Sequence, residues 1–153
     1  MADTYSADNQ NSDEWLQARP GERFLIRIPA AATGGLYSVT EILSSPGDST
    51  PVHLHEKEDE YILVVEGVAR FLYGDKTFDA PAGTMVSLAR GIAHAWGNPT
   101  DTPIRLLATA TPGGCEEALR LIATSGDELD LQAIAEKFAV RTLGPPLLAP
   151  KKK

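Results

Sequence analysis

Short runs of alternating apolar residues, separated by turn residues through the first two thirds of the chain, predict an all-β sandwich or barrel. The hydrophobic period changes after Thr111, which adds two short helices at the C-terminal end. A length of 153 residues suits one domain with one core.

The elements follow in chain order. Met1 to Asn11 is too polar to pack, so residues 1–14 are expected to form a disordered tail, with order beginning near Trp15. Phe24 to Ile28 alternates apolar with polar, and Leu36 to Leu43 is rich in β-branched and apolar residues, which makes both strands. Ser45-Pro46-Gly47-Asp48 is a turn cluster that delivers the chain to His53-Leu54-His55. Glu60 to Val65 is apolar on both faces after its first residue, as in a strand covered on both sides.

Glu66-Gly67 reads as a two-residue hairpin turn, with Val68 to Tyr73 returning as the partner strand. That register sets Val65 against Val68, Ile62 against Phe71 and Glu60 against Tyr73, so Phe71 and Tyr73 share a face with Glu60. Tyr61, Leu63, Val65, Arg70 and Leu72 take the other face. Thr77 to Asp79, Met85 to Leu88, Ile92 to Asn98 and Ile104 to Thr109 complete the strands, and alternation puts Ile92, His94, Trp96 and Asn98 on one face.

Beyond Pro112-Gly113-Gly114, Ala118, Leu121 and Ile122 recur at helical spacing, as do Leu131, Ile134, Ala135 and Phe138 behind an Asp130 N-cap. Thr142 to Leu147, with Gly144-Pro145-Pro146, cannot continue a helix. The expected division is a barrel over 15–111, helices and a tail packed on it over 112–147, and a disordered end over 148–153.

A net charge of −7 without a basic stripe argues against nucleic acid and anionic membrane surfaces as partners. The single Cys115 cannot form an internal disulfide and is expected to be a buried, inert thiol; with a polar N-terminus and no long apolar run, this reads as a cytoplasmic protein.

His53 and His55 stand two apart, on one face of a strand, and a strand starting at Glu60 can bring a carboxylate back to them. Such a mixed nitrogen and oxygen set suits a divalent transition metal. All three histidines of the chain fall in patterned stretches, the third being His94.

Two motifs carry a family resemblance. Gly47, five residues, His53-Leu54-His55, four residues, Glu60, six residues and Gly67 resembles the first cupin motif at every defined position. Gly83, five residues, Ala89, one residue, Gly91, two residues, His94, three residues and Asn98 resembles the second, with Ala89 where a proline is usual. The helices and the Leu143 to Leu147 tail are similar to those of small bacterial cupins related to quercetin dioxygenases.

The resemblance implies a jelly-roll β-barrel holding one divalent transition metal per chain on His53, His55, Glu60 and His94. Iron, manganese, nickel, cobalt, copper and zinc all remain open. It further implies a dioxygenase acting on a small aromatic or enolic, flavonol-like substrate, with Glu60 as the catalytic base and Ile62, Phe71, Tyr73 and Trp96 as the substrate wall. Those four apolar residues equally suit core filling. The alternatives are a metal-dependent isomerase or lyase, and a non-enzymatic small-molecule-binding cupin. An apolar patch of Tyr61, Leu63, Val65 and Leu72, together with the way cupins pair, leads to the expectation of a homodimer.

Overall fold

The computed structural model describes residues 14–126 and 129–148, so the expected N-terminal tail lies outside it except for Glu14, and the expected C-terminal end except for Leu148. Two antiparallel sheets face each other as a jelly-roll sandwich. One runs β1 (Leu16–Arg19), β2 (Glu22–Ile28), β3 (Ser38–Ser44), β10 (Ile104–Thr111), β5 (Asp59–Glu66), β8 (Met85–Leu88). The other runs β11 (Val140–Pro146), β4 (Pro51–His55), β9 (His94–Gly97), β6 (Val68–Tyr73), β7 (Lys76–Pro81).

The inward residues of the first sheet form rows whose bulk changes along the barrel. Val64, Leu106, Ile42 and Phe24 make one row of large side chains. The next holds Ile62, Ala108, Thr40 and Ile26, and the last holds Glu60, Ala110 and Ser38. Phe24, Ile62, Val64, Phe71 and Leu106 are fully buried, so one end of the barrel is solid. The small and polar rows leave space at the other end.

The expected hairpin at Glu66-Gly67 is not formed: β5 and β6 lie in different sheets. Arg105 pairs with Glu66 and Leu106 with Val64, which leaves Val65 as a bulge at the point where the chain leaves its sheet. Gly67 follows at φ 84° and turns the corner. Phe71 and Tyr73 still face inward, because β9 is their true partner: Phe71 opposes Trp96 and Tyr73 opposes His94. Leu72 is thereby separated from Tyr61, Leu63 and Val65, which stay on the first sheet.

Two strands were not anticipated. β1 is the first, pairing Leu16 with Phe24. The proline-containing tail is the second, accepted because β11 is an edge strand, where a missing N–H costs no ladder bond. It sets Val140 against His55 and Thr142 against His53. Between these strands come α1 (Glu116–Thr124) and α2 (Leu131–Lys137), and the Asp130 side chain accepts from the Ala133 N–H at 3.0 Å as an N-cap. The buried Glu116 carboxylate accepts from Ala30 N at 2.7 Å and Gly114 N at 2.8 Å, anchoring the start of α1. The helices pack on β1 and β11.

A Cβ at position 67 would lie 2.6 Å from Ile104 Cγ2, and the φ of 84° is strained for an L side chain. Gly67→Ala should therefore lower unfolding free energy by about 2–4 kcal/mol in urea titration.

Candidate metal centre

The turn Ser45–Asp48 and strand β4 place His53 and His55 facing inward, two residues apart, from the second sheet. β9 adds His94 directly opposite His53. Glu60 arrives from the first sheet, so the group spans the gap between the two layers. One donor atom from each of His53, His55, Glu60 and His94 lies within 4.8 Å of the others.

Each imidazole is oriented from outside the group. His53 Nδ1–H donates to the Pro51 carbonyl at 2.7 Å and His94 Nδ1–H to the Ile92 carbonyl at 3.1 Å, which leaves both Nε2 lone pairs free. His94 Nε2 is buried with no hydrogen-bond partner and stands 4.0 Å from Glu60 Oε1. His55 lies between two carboxylates, with Nε2 2.5 Å from Glu60 Oε1 and Nδ1 3.5 Å from Glu58 Oε2. The second distance is an ion-pair contact longer than a hydrogen bond.

Electrostatics follow from this burial. Desolvation, reinforced by the other two histidines, pushes His53 down to about 4, so it is neutral at physiological pH. Burial also lowers His94. Burial acts against a charge on His55, yet Glu60 and Glu58 outweigh it and raise its pKa. Glu60, which burial alone would raise, is instead held low by His55. One positive charge is thus shared with a buried carboxylate, in a place where a divalent ion could replace the proton. Three nitrogens and one oxygen, with an orphaned inward imidazole nitrogen, are compatible with one transition-metal ion.

The group opens into a cavity of ≈ 430 Å3, within the roughly 300–1,000 Å3 usual for small-molecule sites. His53, His55, Glu60 and Trp96 line it. Ile62 and Phe71 sit in the core cluster and Tyr73 packs against it, with its hydroxyl accepting from Ala89 N at 3.4 Å; none of the three is a lining residue. Glu58, which the motifs do not single out, is buried beside His55. Strand alternation carries no signal for it, because it precedes β5. Cys115 lines the cavity half-buried, and burial with the nearby carboxylates pushes its thiol pKa up, so it is a neutral thiol.

A second charged group on the cavity wall was not anticipated. Arg19 donates to Asp48 Oδ1 at 2.7 Å and Oδ2 at 3.0 Å, touches Glu22 at 2.7 Å and stacks 5.0 Å over Trp96. Asp48 already neutralises Arg19, so Glu22 is the weaker partner and its Oε1 is buried without a hydrogen bond. Burial accordingly pushes Glu22 up to about 7 despite the Arg19 contact.

Residues 41–110 match the family model described as a cupin domain. Mannose-1-phosphate guanylyltransferase 2 of Escherichia coli O157:H7 is 26% identical over 102 residues, 67% of this chain and 21% of that protein. Quercetin 2,3-dioxygenase of Bacillus subtilis (strain 168) is 24% identical over 100 residues, 61% of this chain and 30% of that protein. The chain therefore spans less than a third of either relative. Among solved structures, KdgF from Halomonas sp. superposes with a TM-score of 0.62 at 14% identity, covering 68% of this chain and 90% of that one. Bacillus subtilis oxalate decarboxylase OxdC does so with a TM-score of 0.58 at 18% identity, covering 67% and 28%.

Glu22 gives a pH dependence whose sign is opposite to that of a salt-bridged carboxylate. Its folded pKa of about 7 lies above the ordinary glutamate value of 4.5, so between those pH values the folded state holds a proton that the unfolded state has lost. Stability should fall as pH rises from 4.5 to about 7 and stay lower above that, by on the order of 3 kcal/mol at most. Urea titrations across this window should show the slope in the wild type and a flatter profile in Glu22→Gln.

Proposed function

From the premise that this chain is a cupin, we propose that it is a metal-dependent dioxygenase acting on a small aromatic or enolic substrate. His53, His55, Glu60 and His94 would hold one divalent transition metal per chain. The observation that carries this reading is the convergence of three inward imidazoles and one carboxylate, with His53, His55 and Glu60 at the wall of a largely apolar cavity. The similarity to quercetin 2,3-dioxygenase supports the choice of reaction.

When bound, the ion would supply Lewis acidity toward a substrate oxygen and, in redox-active cases, a path for electrons between substrate and dioxygen. The protein's own part is proton transfer and exclusion of water. A phenolic or enolic hydroxyl must lose its proton, and Glu60 lines the cavity with a carboxylate able to accept it. The O–H bond breaks, its electron pair stays on the substrate oxygen, and the proton passes to a Glu60 oxygen. Trp96 and the aliphatic lining keep the remainder of the site dry. Glu58 steadies His55 from behind.

We read the protein as a cytoplasmic homodimer. Among the described residues no helix is long and apolar enough to cross a membrane. Tyr61 is 37% exposed, Val65 41% and Met85 61% on the outer face of the first sheet, where Met85 opposes Leu63. These residues form a contiguous apolar surface suited to a second copy of the chain.

Metal analysis of protein purified without chelator should return one ion per chain, lost in Glu60→Ala and His94→Ala. Glu58→Ala should bind it about 10–100-fold more weakly. Glu60→Gln should retain metal while turnover drops by roughly 10²–10⁴-fold. Oxygen uptake with flavonols and catechols, after reconstitution with each candidate metal, tests the reaction. If no metal form consumes oxygen yet small ligands still bind, the non-enzymatic reading replaces the dioxygenase.

Light scattering at micromolar concentration should give twice the 16.4 kDa chain mass. Met85→Glu, which puts a charge in the patch without touching the cavity, should shift that mass to the monomer.

A further inference from the structure

His53, His55 and Glu60 of the cluster occupy one side of the cavity, and most of the opposite wall lies outside the stretch that matches the cupin domain. Ala118, Leu119 and Ile122 on α1 and Ile134 and Ala135 on α2 line it with aliphatic carbon. Facing them are Thr40, Ala108 and Ala110, the short side chains of the thinned rows of the first sheet. The space is therefore a slot between a smooth sheet face and two helix faces. The neighbouring row of Val64, Leu106 and Ile42 closes it toward the solid end.

Charge narrows what can enter. Apart from the histidines, Arg19 is the one basic side chain among the described lining residues, and Asp48 and Glu22 already hold it. Glu116 is occupied by two backbone N–H groups. In the metal-free protein a phosphate ester or a dicarboxylate would thus bring two negative charges into an apolar slot with no free cation among the described lining residues to receive them, at the desolvation cost of an unpaired ion. A molecule with one ionisable oxygen and an apolar body meets no such penalty. Its body would cover aliphatic surface that otherwise faces water.

We propose that the apolar faces of α1 and α2 set the specificity of this cavity, selecting a compact, largely apolar ligand with one ionisable oxygen and rejecting phosphate esters and dicarboxylates. The placement of the ligand's oxygen rests on the metal reading above; the role of the helix faces does not. Ile134 is the central determinant, since it lines the slot from α2 and takes no part in the histidine cluster.

The test uses the full chain, both stripped of metal and loaded with nickel, with 3-hydroxyflavone as the apolar probe and phenyl phosphate and oxalate as the charged ones. Fluorescence titration should show 3-hydroxyflavone bound by both forms, and calorimetry on the stripped form should show the charged probes at least about tenfold weaker. Ile134→Ala should weaken 3-hydroxyflavone by about tenfold, and Ala118→Leu should weaken it by filling the slot, both with unchanged nickel affinity and circular dichroism. Ile134→Lys should gain phenyl phosphate binding, which loss of folding could not produce. Failure of the metal reading would appear as no nickel uptake while the helix variants keep their effect on the stripped protein. Unchanged 3-hydroxyflavone affinity in Ile134→Ala and Ala118→Leu, absence of binding by the wild type, or tighter binding of phenyl phosphate than of 3-hydroxyflavone would overturn the proposal.

Discussion

A buried carboxylate must be met by hydrogen-bond donors or positive charge, and Glu60 is met by imidazoles across the gap between two sheets. It is carried by β5, while its counter-charge comes from imidazoles on β4 and β9. The contact is electrostatic, local and largely dry, so its strength depends on how well the histidines are held. Backbone carbonyls of Pro51 and Ile92 set two of the rings, and Glu58 sits behind the third. The arrangement gathers several lone pairs around one buried positive charge, which is the electrostatic requirement of a cation site.

The graded width of the interior decides where a ligand fits. Large side chains fill the rows of Phe24 and Val64, and small ones thin the rows of Ala108 and Ala110. Packing near interior density at one end supplies cohesion, and the missing side-chain volume at the other becomes usable space. Stability and binding are thereby assigned to different heights of one barrel. Ile62 and Phe71 belong to the packed part, and Trp96 borders the open part.

This division also explains what could be read in advance. Period-two alternation reports which face a residue takes, so the inward phase of His53, His55, Glu60, His94, Phe71 and Trp96 was legible. Alternation carries no information on height along the barrel, so core and cavity residues were indistinguishable. The Glu66-Gly67 dipeptide looks the same in a tight hairpin and in a corner between sheets. The bulge at Val65 that separates the two cases depends on pairing with β10, some forty residues downstream. β11 was hidden because its prolines argue against a strand, and only its edge position makes them tolerable. Glu58 and the Arg19–Glu22–Asp48 group escaped notice because their significance is spatial.

The edge strand β11 has a bearing on how the protein is made. It covers the outer edge of β4, pairing with the same two histidines that face the cavity on the inside. Until those later residues emerge from the ribosome, β4 presents unpaired N–H and C=O groups, the kind of edge that templates intermolecular pairing. Backbone protection of the histidine strand is therefore a late event in synthesis, even though the histidines themselves are translated early. A nascent chain halted before Val140 would carry every clustered side chain and still lack the strand that shields them from a neighbouring polypeptide.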